Sequence, residues 1–194
     1  MNDTEILIKQ YLEDSLKVAE NQTHLKKVIN EISIEFIKCI EDGGKLIFMG
    51  NGGSASDSQH LAAELIGRFQ FDREALPAIS LSSNTSVITA LGNDFGFENI
   101  FQKQIEALAN KKDIVIGLST SGNSENIIRA LKFSKDNGIK TIGFTGSNPS
   151  KLQEFCDYII QAPSTTPALI QQCHITVGQL LCLVVENYFF KKLI

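Results

Sequence analysis

A short apolar run, Lys45-Leu-Ile-Phe-Met49, stops abruptly at Gly50-Asn51-Gly52-Gly53-Ser54, and a helical pattern from Ser54 to Phe69 follows at once. This succession constrains the chain more than any other feature, because a buried strand, a tight polar turn and a helix must form one unit. Leu61, Ala62, Leu65 and Ile66 are among the helix's apolar positions. His60 and Glu64 stand four apart and so share one face, with Arg68 a turn further on. A Gly/Ser turn at a helix start offers backbone N–H groups to an anion. The imidazole and carboxylate just beyond it suit either a metal or a proton to be moved. Arg68 itself reads as a helix-end cation pairing with a carboxylate or capping carbonyls.

A second unit repeats the plan. Asp113-Ile-Val-Ile-Gly-Leu118 is another strand pattern, Ser119-Thr120-Ser121-Gly122-Asn123-Ser124 follows, and Glu125 to Lys135 reads as a helix. Four hydroxyls between a strand's carboxyl end and a helix's amino end make a phosphate cradle, with the helix dipole adding its positive end. Neither a Walker loop nor a Gly-x-Gly-x-x-Gly motif is present.

With 194 residues, 43% hydrophobic and 21% charged, the chain reads as one domain, residues 1–194, with a helical amino-terminal segment over 1–42. A net charge of −4 argues against a general nucleic-acid surface. No basic amino-terminal region precedes an apolar run, and no stretch is expected to approach the roughly 20 apolar residues of a membrane span. Cys39, Cys156, Cys173 and Cys182 are scattered and read as reduced thiols buried in helices, which points to the cytoplasm.

Residues 1–42 pattern as two helices broken near Asn21-Gln22-Thr23 and stopped by Asp42-Gly43-Gly44. Strands are expected at 45–49, 78–82, 113–118, 140–145 and 158–161, with helices between most of them. That alternation predicts a parallel sheet covered on both faces. A long, very apolar helix closes the chain, about Pro167 to Phe190. Together with the leading helices it carries more apolar surface than one small sheet would cover, so a homo-oligomer packed through the terminal helices is expected.

Five ordered motifs now carry a resemblance: Gly50-Asn-Gly-Gly-Ser54, Gln59-His60, Ala63-Glu64-Leu65 with Gly67-Arg68, Gly92-Asn93-Asp94-Phe95-Gly96-Phe97, and Ser119-Thr-Ser-Gly-Asn-Ser124. Together they resemble the sugar isomerase (SIS) domain family, and bacterial phosphoheptose isomerases most closely. The resemblance implies a flavodoxin-like doubly wound sheet and a homotetramer with active sites built between subunits. It also implies conversion of sedoheptulose 7-phosphate to D-glycero-D-manno-heptose 7-phosphate, towards lipopolysaccharide heptose. By position, Ser119, Thr120, Ser121 and Ser124 would hold the phosphate, while Asn51, Gly52, Gly53, Ser54, Asn93, Asp94 and Gln171 would contact the sugar. His60, Glu64, Gln171 and Gln179 would stand at the zinc positions. Glu64 would be the base, with Gln179 at the second acid/base position.

The closing helix departs from the family. Its usual run, Asp-x-x-Arg-Ile-Gln-Glu-x-His with a second His five residues on, is here Thr165-Thr-Pro-Ala-Leu-Ile170-Gln171-Gln172-Cys173-His174, ending at Gln179. An amide exchanges hydrogen bonds but cannot shuttle a proton, and it is a weak zinc ligand. His174 lies well round the helix from Gln179 and reads as a core or interface residue. The resemblance therefore also allows a non-catalytic tetramer that binds the replication initiator, or a sugar-phosphate sensor. The tail Glu186-Asn-Tyr-Phe189-Phe190-Lys-Lys would then present an aromatic pair to a partner. The carboxylate at Glu64 favours the enzyme.

Overall fold

Five apolar runs become the five strands of one sheet in the computed structural model, which describes residues 2–191. They are β1 (Leu46–Gly50), β2 (Ala78–Ser80), β3 (Ile114–Leu118), β4 (Lys140–Thr145) and β5 (Tyr158–Gln161). All neighbouring pairs are parallel, in the order β2-β1-β3-β4-β5. The chain leaves β1 towards one edge and returns beside it as β3, before continuing to the other edge. The carboxyl ends of β1 and β3 therefore flank the point where the winding reverses, the usual ligand crevice of a doubly wound sheet.

Among the described residues seven α-helices surround the sheet: α1 (Asp3–Asn21), α2 (Lys26–Glu41), α3 (Gly53–Ile66), α4 (Thr85–Phe95), α5 (Ile100–Leu108), α6 (Glu125–Asp136) and α7 (Pro167–Glu186). Successive side chains of a strand face opposite sides, so β1 serves two cores. Leu46 and Phe48 join Ile32 and Phe36 of α2, Leu61 and Leu65 of α3, and Val177 and Leu181 of α7. Ile47 and Met49 join Phe101 and Ile105 of α5 with Ile127 and Leu131 of α6. Both faces being covered, every residue of β1 and β3 is buried.

Several expectations change. The helix after the glycine turn ends at Ile66, not Phe69, because the N–H groups of Phe69 and Gln70 turn instead to the Glu186 carboxylate on α7. The closing segment Pro167–Phe190 is, by length and composition, apolar enough to cross a membrane, contrary to expectation. Half of its most apolar window is buried in the fold, where α7 packs on α3, α2 and α1. Cys156 follows a short 3₁₀ segment rather than lying in a helix, while Cys39, Cys173 and Cys182 are buried helical thiols. Met1 and Lys192, which bound the amino-terminal and aromatic-tail readings, lie outside the described residues.

Candidate active site

The loop after β3 is pre-shaped before any ligand is considered. Ser119 Oγ lies 3.0 Å from Ser124 Oγ and accepts the Gly122 N–H at 3.1 Å. Ser121 Oγ accepts the Asn123 N–H at 3.1 Å and stays exposed, and Thr120 is half-buried. Gly122 has φ +63°, and a Cβ there would stand 2.4 Å from Ser150 and 2.5 Å from Thr145 Oγ1, so only glycine fits this bend. Ser124 occupies the N-cap of α6 without using its side chain as a cap. The Ser119 and Ser124 hydroxyls thus meet beside the amino end of α6, where unpaired N–H groups and hydroxyls together have the chemistry to hold an anion.

A reciprocal amide pair joins this loop to the glycine turn. Asn51 Nδ2 donates to Asn126 Oδ1, and Asn126 Nδ2 donates to Asn51 Oδ1, both at 2.9 Å. Asn126, in the first turn of α6, is buried. Gly52 and Gly53 are exposed at the start of α3, and Ser54 is buried beneath them. The Gln171 amide of α7 rests against Gly53, where a Cβ would sit 2.6 Å from its nitrogen.

Further along α3, His60 Nε2 and Glu64 Oε1 are 2.8 Å apart, with side chains 48% and 19% exposed. α7 presses on the same helix, Gly178 admitting Leu61. Gln179, next to that contact, is half-buried. Asn93 donates to Asp94 at 2.7 Å, and both are exposed near the end of α4. Among the described residues no hydrogen bond ties them to the two loops. Arg68 pairs with Asp72 at 2.6 Å, the helix-end role expected of it.

His174 is fully buried, edge-on to Phe144, with Nε2 at 3.2 Å from the Thr145 carbonyl. Burial lowers its pKa to about 4, with the Thr145 bond opposing, so it is a neutral core residue.

Three functional candidates escaped the sequence reading. Asn126 was legible only as a polar residue in a helix's first turn. Asp57 lies one turn before His60, and burial raises its carboxyl, with His60 opposing. Its Oδ2 is buried without a hydrogen-bond partner. Arg73 reaches the last turn of α3 from the following loop.

For a metal, the strong donors are His60 and Glu64. Among the described residues no group of three or more His, Cys, Asp or Glu gathers. Gln171 and Gln179 would add only amide oxygens, so this donor set suits zinc poorly.

Known proteins bear on this geometry. The SIS domain family matches residues 10–146. Phosphoheptose isomerase 2 of Campylobacter jejuni is 43% identical, over 99% of this chain and 97% of its own. The phosphoheptose isomerase of Aquifex aeolicus is 48% identical over 89% and 90%. The solved phosphoheptose isomerase of Francisella tularensis superposes with a TM-score of 0.91 at 34% identity, covering 96% of this chain and all (100%) of its own.

Proposed function

The chain belongs to the SIS domain family, among the phosphoheptose isomerases, and from that premise we propose that it interconverts sedoheptulose 7-phosphate and D-glycero-D-manno-heptose 7-phosphate in the supply of lipopolysaccharide heptose. The observation that carries this reading is the Asn51–Asn126 pair. It fastens the hydroxyl loop to the turn from which the Glu64 helix starts, so one ligand reaches both.

The phosphate sits on Ser119, Thr120, Ser121, Ser124 and the amino end of α6. The sugar extends over Asn51, Gly52, Gly53 and Gln171, with Asn93 and Asp94 at its margin. Glu64 removes a proton from C1 of the ketose while the C2 oxygen gains one, giving an enediol. Glu64 then returns its proton to C2, and O1 loses one to become the aldehyde. His60 holds the carboxylate in place through its 2.8 Å contact. Gln179 donates a hydrogen bond to an oxygen of the enediol, and water carries the oxygen-to-oxygen proton, because an amide cannot.

Zinc, when bound by His60, Glu64, Gln171 and Gln179, would polarise the carbonyl. The donor set holds it weakly, and no step above depends on it.

The assembly is a homo-oligomer, with the tetramer resting on the resemblance. Along α1, Leu7 is 70% exposed and Leu12 59%, with Ile6, Ile8 and Leu16 beside them, and only Val18 is buried. An apolar face of this kind calls for a second copy. All four thiols are pushed up, to about 11 for Cys173 and about 12 for the others, chiefly by burial. Such inert thiols suit the cytoplasm.

The test is NMR of purified protein with sedoheptulose 7-phosphate, with added zinc and then with EDTA. An aldose signal establishes the isomerase. Binding without turnover in both conditions moves the reading to a non-catalytic sugar-phosphate module.

A further inference from the structure

Glu64 takes its position from the last turn of α3, and a side chain outside the site holds that turn. Arg73 has its side chain 1% exposed. Its Nη2 donates to the Glu64 carbonyl at 2.7 Å. Nη1 donates to the carbonyls of Leu65 at 2.8 Å, Glu74 at 2.9 Å and Gly67 at 3.2 Å. Nε donates to Glu186 Oε1 at 2.8 Å. Glu186, the last residue of α7, is fully buried and also accepts the N–H groups of Phe69 at 2.9 Å and Gln70 at 2.8 Å. The Phe190 ring covers the guanidinium, 5.4 Å from its centre.

The final carbonyls of a helix need partners, but an exposed Lys or water would satisfy them. A buried ion pair adds little stability over an apolar pair of the same shape. What a planar five-donor fork supplies is geometry, since it fixes two bodies in one mutual position. Here the two bodies are the ends of α3 and α7. α3 carries His60 and Glu64, and α7 carries Gln171 and Gln179.

We infer that Arg73 and Glu186 are the positioning pair of the site, setting Glu64 along α3 against the amides of α7. Where it concerns turnover, the inference rests on the isomerase reading. Its geometric content stands apart from that reading.

Two variants test it, Arg73→Lys, which keeps the charge and loses the fork, and Glu186→Gln, which keeps the shape and loses an acceptor. Each is assayed well below its melting temperature, so that only folded protein is read. Displacing a base by a fraction of an ångström to an ångström lowers kcat by about 10- to 100-fold, and KM is expected to stay within about twofold. The imidazole ¹H–¹⁵N spectrum at fixed pH supplies a readout without substrate. The chain has 3 histidines. The His60 signals are expected to shift while those of His24 and His174 hold. An unchanged kcat with His60 unmoved, whatever the loss of melting temperature, overturns the inference and leaves the pair a fold element. Failure of both variants to fold overturns it equally. A wild-type protein without turnover instead sinks the isomerase reading, and the imidazole comparison still decides the positioning.

Discussion

Asn51 and Asn126 exchange two 2.9 Å amide hydrogen bonds across the ends of β1 and β3, joining residues 75 apart in the chain. Each amide satisfies the other, so removing Asn51 strands the buried Asn126 amide, and removing Asn126 strands the half-buried Asn51 amide, at about 1–3 kcal/mol at most. Asn51→Ala and Asn126→Ala should each lower the unfolding free energy from urea titration by up to that amount and weaken sugar-phosphate binding. The double variant should cost less than the sum of the two, and a double-mutant cycle measures the difference. Strict additivity would show that the pair does not couple the loops.

Glu64→Gln keeps a group able to hydrogen-bond His60 and removes the base. Turnover should fall by about 10²–10⁴-fold while calorimetric affinity for the sugar phosphate changes little. A large loss of affinity with turnover retained would place the proton transfer elsewhere.

Gln179→His replaces an amide with an imidazole at the half-buried position beside Gly178, which itself packs on Leu61 of α3. Zinc affinity by competition with a chromogenic chelator should rise by tenfold or more, since an imidazole is a far better ligand than an amide, roughly in line with the loss seen when supporting groups are removed. Turnover should rise with it. If neither moves, Gln179 does not face the site.

His174 makes the fold acid-labile. An unfolded histidine takes up a proton near pH 6.5, whereas the buried one does so near pH 4. Between those values the unfolded chain binds the extra proton, so stability is full above the upper value and is lost as pH falls towards the lower. The total is about 3 kcal/mol from the 1.36 kcal/mol carried by each unit of separation. Urea midpoints measured across this window should slope less steeply for His174→Asn.

The apolar face of α1 predicts its own disruption. Leu7→Glu with Leu12→Glu should reduce the mass measured by light scattering and leave the secondary structure by circular dichroism intact, because both side chains are exposed in the single chain. An unchanged mass would remove α1 from the interface.

Much of this protein follows from neighbours in the chain. The strand runs, the two polar loops at strand ends and the four-residue step from His60 to Glu64 are local patterns, and local periodicity sets which face a side chain takes. The family follows from the same ordered motifs. The ends of elements and the partners of polar groups do not. α3 stops at Ile66 because Glu186 takes the N–H groups of Phe69 and Gln70 from 117 and 116 residues away. Arg73 finds the same carboxylate across 113 residues, and nothing near Arg73 in sequence distinguishes it from the exposed Arg68. An unpaired backbone or side-chain polar group accepts any partner that burial brings within reach. That partner is chosen by how α7 settles on α3, which is a property of the packed molecule and of no single segment.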